Sequence, residues 1–202
     1  AVVGKVLAGA SLTAVLQETW RAHPALSSQQ RGAIQDISYG VLRFYGQLDA
    51  LLELLLNKPL QQQNLRCLLL VGLYQLQYSR ASPHAVVDHA VSASCGLNDG
   101  KRSKGVSGLI NAVLRNFMRQ RTDLLDRAGK SEVGRHSHPQ WWIDKLRAQY
   151  PRNYQAVLAA DNQHPPMTLR VNRRKMKVAD YQKRLNECGI LAQLLWNDAL
   201  IL

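Results

Sequence analysis

Apolar residues recur every three or four positions through the first 121 residues of the chain. The spacing is clearest over residues 34–55, 65–76 and 106–118, and it is the period of an amphipathic α-helix. Pro59 and Pro83 separate these stretches, because proline ends a helix or occupies its first turn. The middle stretch is apolar nearly all round, which is typical of a helix at the centre of an assembly. The pattern predicts an all-α bundle.

The pattern changes after residue 121. Residues 122–138 are charged and weakly patterned, which predicts a linker. Residues 139–202 begin with two proline-initiated helices and continue into MTLRVN, where apolar and polar residues alternate as in a β-strand. Another helical pattern and the apolar segment ALIL follow, so we predict a helical pair and the start of a small α/β module.

The predicted fold class is therefore mainly α, with a helical bundle followed by an incomplete α/β (β-α-β) module. We expect the bundle to occupy residues 1–121, the linker 122–138 and the second part 139–202. The chain begins without Met, so we expect its first helix to be trimmed. We also expect the strand in ALIL to be cut in its middle.

The chain is strongly basic, and the excess lies in its second half. Its 26 Lys and Arg residues outnumber 14 Asp and Glu residues, which gives a net charge of +12. Residues 1–100 have a net charge of +1, whereas residues 101–202 have a net charge of +11. Such an excess favours a polyanionic partner, most often a nucleic acid, with a membrane surface and simple solubility as weaker alternatives.

The basic residues of the second half form two clusters that we predict to bind phosphates. The first cluster lies on the polar side of the helix over 106–118 and in the loop before it: Lys101, Arg102, Lys104, Arg115, Arg119 and Arg121. The second lies on and after the predicted strand: Arg170, Arg173, Arg174 and Lys175. The alternative for the first cluster is a solvated helix face that only keeps the protein soluble.

Three aromatic residues, Trp141, Trp142 and Tyr150, lie between the two basic clusters in the sequence. Aromatic side chains beside basic ones can stack on nucleic-acid bases. Aromatic residues at helical spacing are more often part of a core, and this is the interpretation that we favour.

Motifs for catalysis and cofactor binding are missing from the chain. Cys67, Cys95 and Cys188 lack C-x-x-C spacing, which leaves no disulfide framework or usual zinc site and favours a cytoplasmic location. The loop GLNDGKRSKG fails the phosphate-loop spacing, and no G-x-G-x-x-G occurs. No apolar run approaches the roughly 20 residues that cross a bilayer, so we expect no membrane partner.

Histidines offer one candidate metal cluster. His136 and His138 are two residues apart, with Asp144 and His164 nearby in the sequence. We favour the alternative, in which a basic surface segment contains the pair and His138 caps the following helix. The sequence therefore predicts no metal and no catalytic residue.

Several segments resemble known families. The runs LLLVGLYQLQYSRASPHAVVDHAV and KGVSGLINAVLRNF resemble the RNA-binding NusB-like domain. The later segments HPQWWIDKLRAQYP, ADNQHPPMTLRVN and YQKRLNECGI are similar to bacterial 16S ribosomal RNA cytosine-C5 methyltransferases of the Fmu/Sun type. The element PPM-x-L-R-V-N at 165–172 is the most specific. Ser107 departs from the pattern, because the family often has a lysine there.

The resemblance implies a parent enzyme that uses S-adenosylmethionine and a cysteine nucleophile, which adds to C6 of a cytosine. The family's Pro-Cys and Thr-Cys-Ser motifs are not found here, so no catalytic role passes to any residue. We expect this chain to be inactive alone, to bind no cofactor, and to work with 16S ribosomal RNA and the catalytic domain that it lacks. The alternatives are a NusB-like transcription antitermination factor and a helical protein-interaction domain.

Overall fold

A computed structural model of the chain describes residues 1–97 and 104–202, and their contacts divide them into two compact units, Ala1–Asn162 and Gln163–Leu202. The first unit is helical. Its helices are α1 (Val2–Leu7), α2 (Leu12–Ala22), α3 (Ser28–Arg43), α4 (Tyr45–Leu55), α5 (Gln63–Tyr78), α6 (Pro83–Ala93), α7 (Lys104–Arg119), α8 (Arg121–Ala128), α9 (Glu132–His136), α10 (Gln140–Gln149) and α11 (Tyr154–Asp161). Within the two described ranges, every helix is too short or too polar to span a membrane.

The core of the first unit is centred on α5. Three of its leucines, Leu69, Leu70 and Leu73, are fully buried, because α5 packs against α3, α4, α6 and α7. The approach of α7 is close at Gly72, where a Cβ atom would lie 2.9 Å from the side chain of Leu114. The all-α bundle predicted for this part of the chain is confirmed.

The segment that we predicted as a linker, 122–138, is largely helical in the structure. Helices α8 and α9 contain only eight and five residues, too few for a helical period to be visible in the sequence. Leu124 and Ala128 of α8 are buried in the main core. Helix α9 packs so closely on α4 that a Cβ atom on Gly46 would lie 2.9 Å from the carbonyl oxygen of Val133. This segment therefore completes the bundle.

The helical pair α10 and α11 has a small core of its own. Ile143, Leu146 and Leu158 are buried, and Trp142 and Tyr154 pack against them. The pair belongs to the first unit, so the structural division falls after Asn162. The domain boundaries that we drew at 121 and 139 stay a prediction.

The second unit contains a small antiparallel sheet and one helix. Its elements are β1 (Thr168–Arg170), α12 (Val178–Glu187), β2 (Gln193–Trp196) and β3 (Ala199–Ile201). The strand order is β1-β3-β2, with both outer strands antiparallel to β3. The outer strands are thus parallel to each other, and β3 lies between them as in a split β-α-β unit. The predicted β-α-β order omitted β2, whose four side chains are all exposed and show no alternation of burial.

Candidate nucleic-acid interface

The polar side of α7 presents the first basic cluster to solvent. Lys104, Arg115 and Arg119 are exposed, whereas the opposite side of the helix buries Ile110 and Phe117 in the core. The helical period thus separates charge from core as the sequence predicted. Lys101 and Arg102, which we assigned to the same cluster, lie outside the described residues.

Two exposed arginines of α7, Arg115 and Arg119, donate hydrogen bonds to asparagine side chains of the same helix. Arg115 donates from Nε to the side-chain oxygen of Asn111 at 2.8 Å. Across residues 1–97 and 104–202, no carboxylate lies within ion-pair distance of Lys104, Arg115 or Arg119. Their positive charge is therefore not neutralised by these residues and is available to an anion.

Arg121 at the start of α8 has a structural role that the sequence did not reveal. Its Nε donates to the side-chain oxygen of Gln77 at 2.8 Å, and its Nη2 donates to the Gln77 backbone carbonyl at 3.2 Å. These bonds connect α8 to the last turn of α5. A guanidinium has five N–H donors, so Arg121 can bind an anion and hold this junction together.

An open groove of about 610 Å³ runs beside the α7 cluster. Its walls are the end of α4 with the loop after it, and one side of α7. Lys58 lines the first wall, and Asn116 and Arg119 line the second. Sequence reasoning missed Lys58 and Asn116, because they are isolated polar residues on different elements and only the packing of α4 against α7 brings them to one groove.

The second cluster lies on β1 and the turn that follows it. Asn172 organises this turn: its side-chain oxygen accepts from the backbone N–H of Arg174 at 3.1 Å, and its carbonyl accepts from the N–H of Lys175 at 2.9 Å. Three consecutive basic residues are thereby carried on one tight turn. Arg170, Arg173 and Arg174 are exposed, as is Lys175, and the three arginines line an open depression of about 490 Å³.

One carboxylate lies in the second cluster. Asp198 lines the same depression, and its Oδ2 is 3.4 Å from Nε of Arg170. The Arg170 side chain is 86% exposed, so this pair is screened by water and contributes little to stability. A phosphate can therefore replace Asp198 as the partner of Arg170 with little loss of stability.

The aromatic residues between the clusters divide into two kinds. Trp141 and Tyr150 are exposed, so our interpretation of them as core residues is wrong. Trp142 packs against the small core of α10 and α11, as that interpretation expected. The ring of Trp142 meets the ring of Trp141 edge to face, with centroids 5.7 Å apart.

The histidine pair is part of the scaffold. His138 is nearly buried, and both ring nitrogens have protein partners: Nε2 is 2.8 Å from the Asp161 carboxylate, and Nδ1 is 2.6 Å from the carbonyl of His136. Burial lowers the pKa of His136, with nearby Arg135 adding to the effect. In the part of the chain that the structure describes, no three potential ligands come together as a metal site would require.

One buried cysteine, Cys67, and one carboxylate, Glu132, also have structural explanations. Burial raises the pKa of the Cys67 thiol, which disfavours the reactive thiolate. A hydrogen bond from Arg147 holds the pKa of the Glu132 carboxyl below its usual range. That bond connects α10 to the first residue of α9 and has no part in either basic cluster.

Comparisons with known proteins match two separate ranges of the chain, and the second begins before the structural division after Asn162. The model of the NusB family matches residues 5–119, and a model described as Methyltr_RsmF/B-like, ferredoxin-like domain matches residues 138–202. Three similar proteins are each called ribosomal RNA small subunit methyltransferase B. The one from Serratia proteamaculans is 38% identical over 194 residues, the one from Pectobacterium atrosepticum 39% over 194, and the one from Yersinia pestis bv. Antiqua 37% over 187.

The alignments cover the two sequences unequally. They include 95%, 95% and 92% of this chain, in the same order, but only 43%, 43% and 42% of the relatives. The chain thus spans less than half the length of the curated relatives that it matches.

Proposed function

The chain belongs to the NusB family, and from that premise we propose that it is the RNA-binding amino-terminal part of a 16S ribosomal RNA cytosine-C5 methyltransferase. The similarity to methyltransferases supports this proposal because it continues through the second unit. A NusB-like antitermination factor, the main alternative, would not require that unit. A ribosomal RNA substrate would place the protein in the cytoplasm.

The observation that carries the RNA-binding role is the exposed basic side of α7. Lys104, Arg115 and Arg119 lie along one helix face, with no carboxylate partner among the described residues. Lysine and arginine side chains in such a row can bind phosphates of one RNA strand and release the counterions condensed on it. Lys58, on the opposite wall of the groove, adds a further contact for the same strand.

The parent enzyme would need S-adenosylmethionine as its methyl donor, and the groove and the depression described above do not fit that cofactor. The depression in the second unit is lined by Arg170, Arg173 and Arg174, whose charge would repel the sulfonium cation. The groove of the first unit has Lys58 and Arg119 in its walls and no carboxylate. We therefore assign the cofactor and the nucleophile to the part of the parent protein that this chain does not include.

The proposal makes two measurable claims. The isolated chain should bind small-subunit ribosomal RNA with an affinity that falls linearly with the logarithm of salt concentration, by about 0.7 in log K per phosphate contact for single strands. It should incorporate no label from S-adenosylmethionine into unmodified RNA. Absence of salt-dependent binding would overturn the RNA-binding role. Incorporation of label at cytosine C5 would overturn the assignment of catalysis to the rest of the parent protein.

The identity of the parent can be tested separately. The gene that encodes this chain should continue into a Gly-rich cofactor loop and a Pro-Cys motif. A reading frame without them would favour the antitermination or protein-interaction alternative.

A further inference from the structure

The two faces of the sheet in the second unit differ in what covers them. Leu169, Leu200 and Leu194 are paired directly across the strands, so they lie on one face. Helix α12 packs on this face, with Tyr181 and Leu185 against the fully buried Leu200. We call it the helix-covered face.

The opposite face, which we call the open face, carries a row made of Arg170, Ala199 and Trp196. Arg170 and Trp196 are the direct partners of Ala199 on either side, so all three share a face. The indole of Trp196 is 72% exposed, and the Arg170 side chain is 86% exposed. Ala199, which is itself buried, therefore lies between an exposed aromatic ring and an exposed guanidinium.

A bulge places Trp196 on the open face. Leu194 pairs with Leu200 and Trp196 pairs with Ala199, so two steps along β2 match one step along β3, and Leu195 is the extra residue. By simple alternation Leu194 and Trp196 would point the same way. Bulges commonly redirect a side chain in this manner. Here the bulge directs a large aromatic residue into solvent and away from the helix-covered face.

The charge around Trp196 favours an anionic partner. Arg170 is about 10 Å away, two strand spacings across the sheet. Arg173 and Arg174 follow on the next turn and line the same depression as Arg170. The one carboxylate lining that depression, Asp198, already pairs with Arg170. Trp196 and Arg170 on the open face, with Arg173 and Arg174 on the turn after β1, supply the two features that bind unpaired nucleotides: a surface for base stacking, and cations for the phosphates.

We propose that the open face binds unpaired nucleotides of RNA, with a base stacked on Trp196 and the neighbouring phosphates held by Arg170, Arg173 and Arg174. This inference rests on the RNA-binding function proposed above and adds the kind of RNA that the second unit selects. Bases in a duplex are already stacked and paired, so a duplex cannot use the indole. The second unit therefore favours single-stranded over double-stranded RNA.

The test measures binding of the full chain to a labelled single-stranded RNA of about 12 nucleotides and to the same strand in a duplex. Trp196→Ala should weaken single-strand binding about tenfold or more, with little change for the duplex. Trp196→Phe should retain most of the affinity, because phenylalanine still stacks. Leu191→Ala, which removes another exposed apolar side chain of the same unit, is the matched control and should change nothing.

Salt dependence separates stacking from charge. Trp196→Ala should leave the slope of log K against log salt unchanged, since no phosphate contact is lost, whereas Arg173→Ala with Arg174→Ala should reduce it. Each variant is also made together with Arg115→Ala and Arg119→Ala, so that binding by α7 cannot mask the effect. Far-ultraviolet circular dichroism checks that the variants fold.

The outcomes distinguish the two proposals. If the wild-type chain has no salt-dependent affinity for RNA, the proposed function itself fails. If the wild-type chain binds but Trp196→Ala binds single strands equally well in both backgrounds, only the stacking role fails, and the open face has another occupant such as a protein. The stacking role would also fail if Trp196→Ala lost affinity equally for the single strand and the duplex. It would fail as well if Trp196→Phe bound the single strand as weakly as Trp196→Ala.

Discussion

The two units present basic residues on very different supports. In the first unit, the basic side of α7 lies over a core with nineteen buried residues among those described. In the second, the basic turn after β1 is supported by a core with three buried residues, Val171, Ala192 and Leu200. Burial of apolar area is the main source of stability, so the first unit can hold its cations in a fixed row. The second has less to hold it rigid and can adjust to a flexible strand.

The largest expected effect concerns the support of the helical unit. Phe117→Ala should destabilise that unit by about 3–5 kcal/mol, because it removes a fully buried aromatic ring and leaves a cavity. Urea denaturation followed by far-ultraviolet circular dichroism measures this loss. The control is Leu200→Ala, an equally buried position in the second core, which should leave the main helical transition in place. Equal shifts in that transition would mean that the comparison between the units is wrong.

Hydrogen exchange should reveal the same contrast in the wild-type chain. We expect strong protection of amides in residues 68–76 and 109–117, and weak protection across 167–202. The reason is that opening the second unit exposes little apolar surface, whereas opening α5 or α7 breaks the main core. Mass spectrometry of peptides from the full chain measures both regions in one experiment. Equal protection in the two would show that the second unit is more stable than its small core suggests.

The contribution of each unit to RNA binding is a smaller effect that charge removal can resolve. Arg115→Ala with Arg119→Ala should lower the slope of log K against log salt by roughly 1 to 1.5 if both residues contact phosphates. Stability should change by about 0.5 kcal/mol or less per exposed position. Arg173→Ala with Arg174→Ala should have a similar effect on the slope if the second unit shares the RNA.

A third pair serves as the charge-matched control for these variants. Arg21→Ala with Arg152→Ala removes the same charge from exposed positions outside both clusters, so the slope should not change. If all three pairs lower the slope equally, net charge alone explains binding. If neither cluster changes it, our assignment of the site is wrong.

The smallest effect expected is a loss of stability in alkali that belongs to the helical unit. Partial burial raises the pKa of Tyr78 to about 12, although the residue is 36% exposed, and the ring stacks on Phe44 with centroids 4.1 Å apart. The unfolded phenol ionises near pH 10, so this contribution is intact below pH 10 and is lost as the pH rises from there through about 12. In the Tyr78→Phe variant, Tm should decrease less between pH 9.5 and 11.5 than in the wild-type chain. An equal decrease in both would mean that other groups cause the loss of stability in alkali.

How much the sequence could predict depended on the length of each element. Helix α7 has four turns, so its apolar and basic sides were both evident, and the spacing alone placed Phe117 on the one and Arg115 on the other. Helix α9 has a single short turn, and its place against Gly46 depends on a close approach of backbones that no periodicity encodes. Strand β2 was missed because its residues, QLLW, do not alternate between apolar and polar, and its side chains are all exposed.

The sites were predictable to the extent that they consist of charge. An excess of lysine and arginine is visible in the sequence, so both basic clusters could be proposed from it, and their role as sites stays a prediction. The exposure of Trp196 could not be predicted from the sequence, since it depends on a bulge that appears only when β2 is paired with β3. Lys58 was also missed, because only the tertiary packing of α4 against α7 brings it to the groove.

The bulge at Leu195 also has a consequence for how this protein can vary over time. Substitutions at Leu195 itself should be tolerated, because its side chain is partly exposed and is the unpaired member of the strand. Deleting that one residue would remove the bulge and restore regular alternation, and Trp196, then directly after Leu194, would still pair with Ala199 on the open face. In β2, therefore, both the identity and the presence of the residue at position 195 should be free to vary, provided that Trp196 keeps its pairing with Ala199.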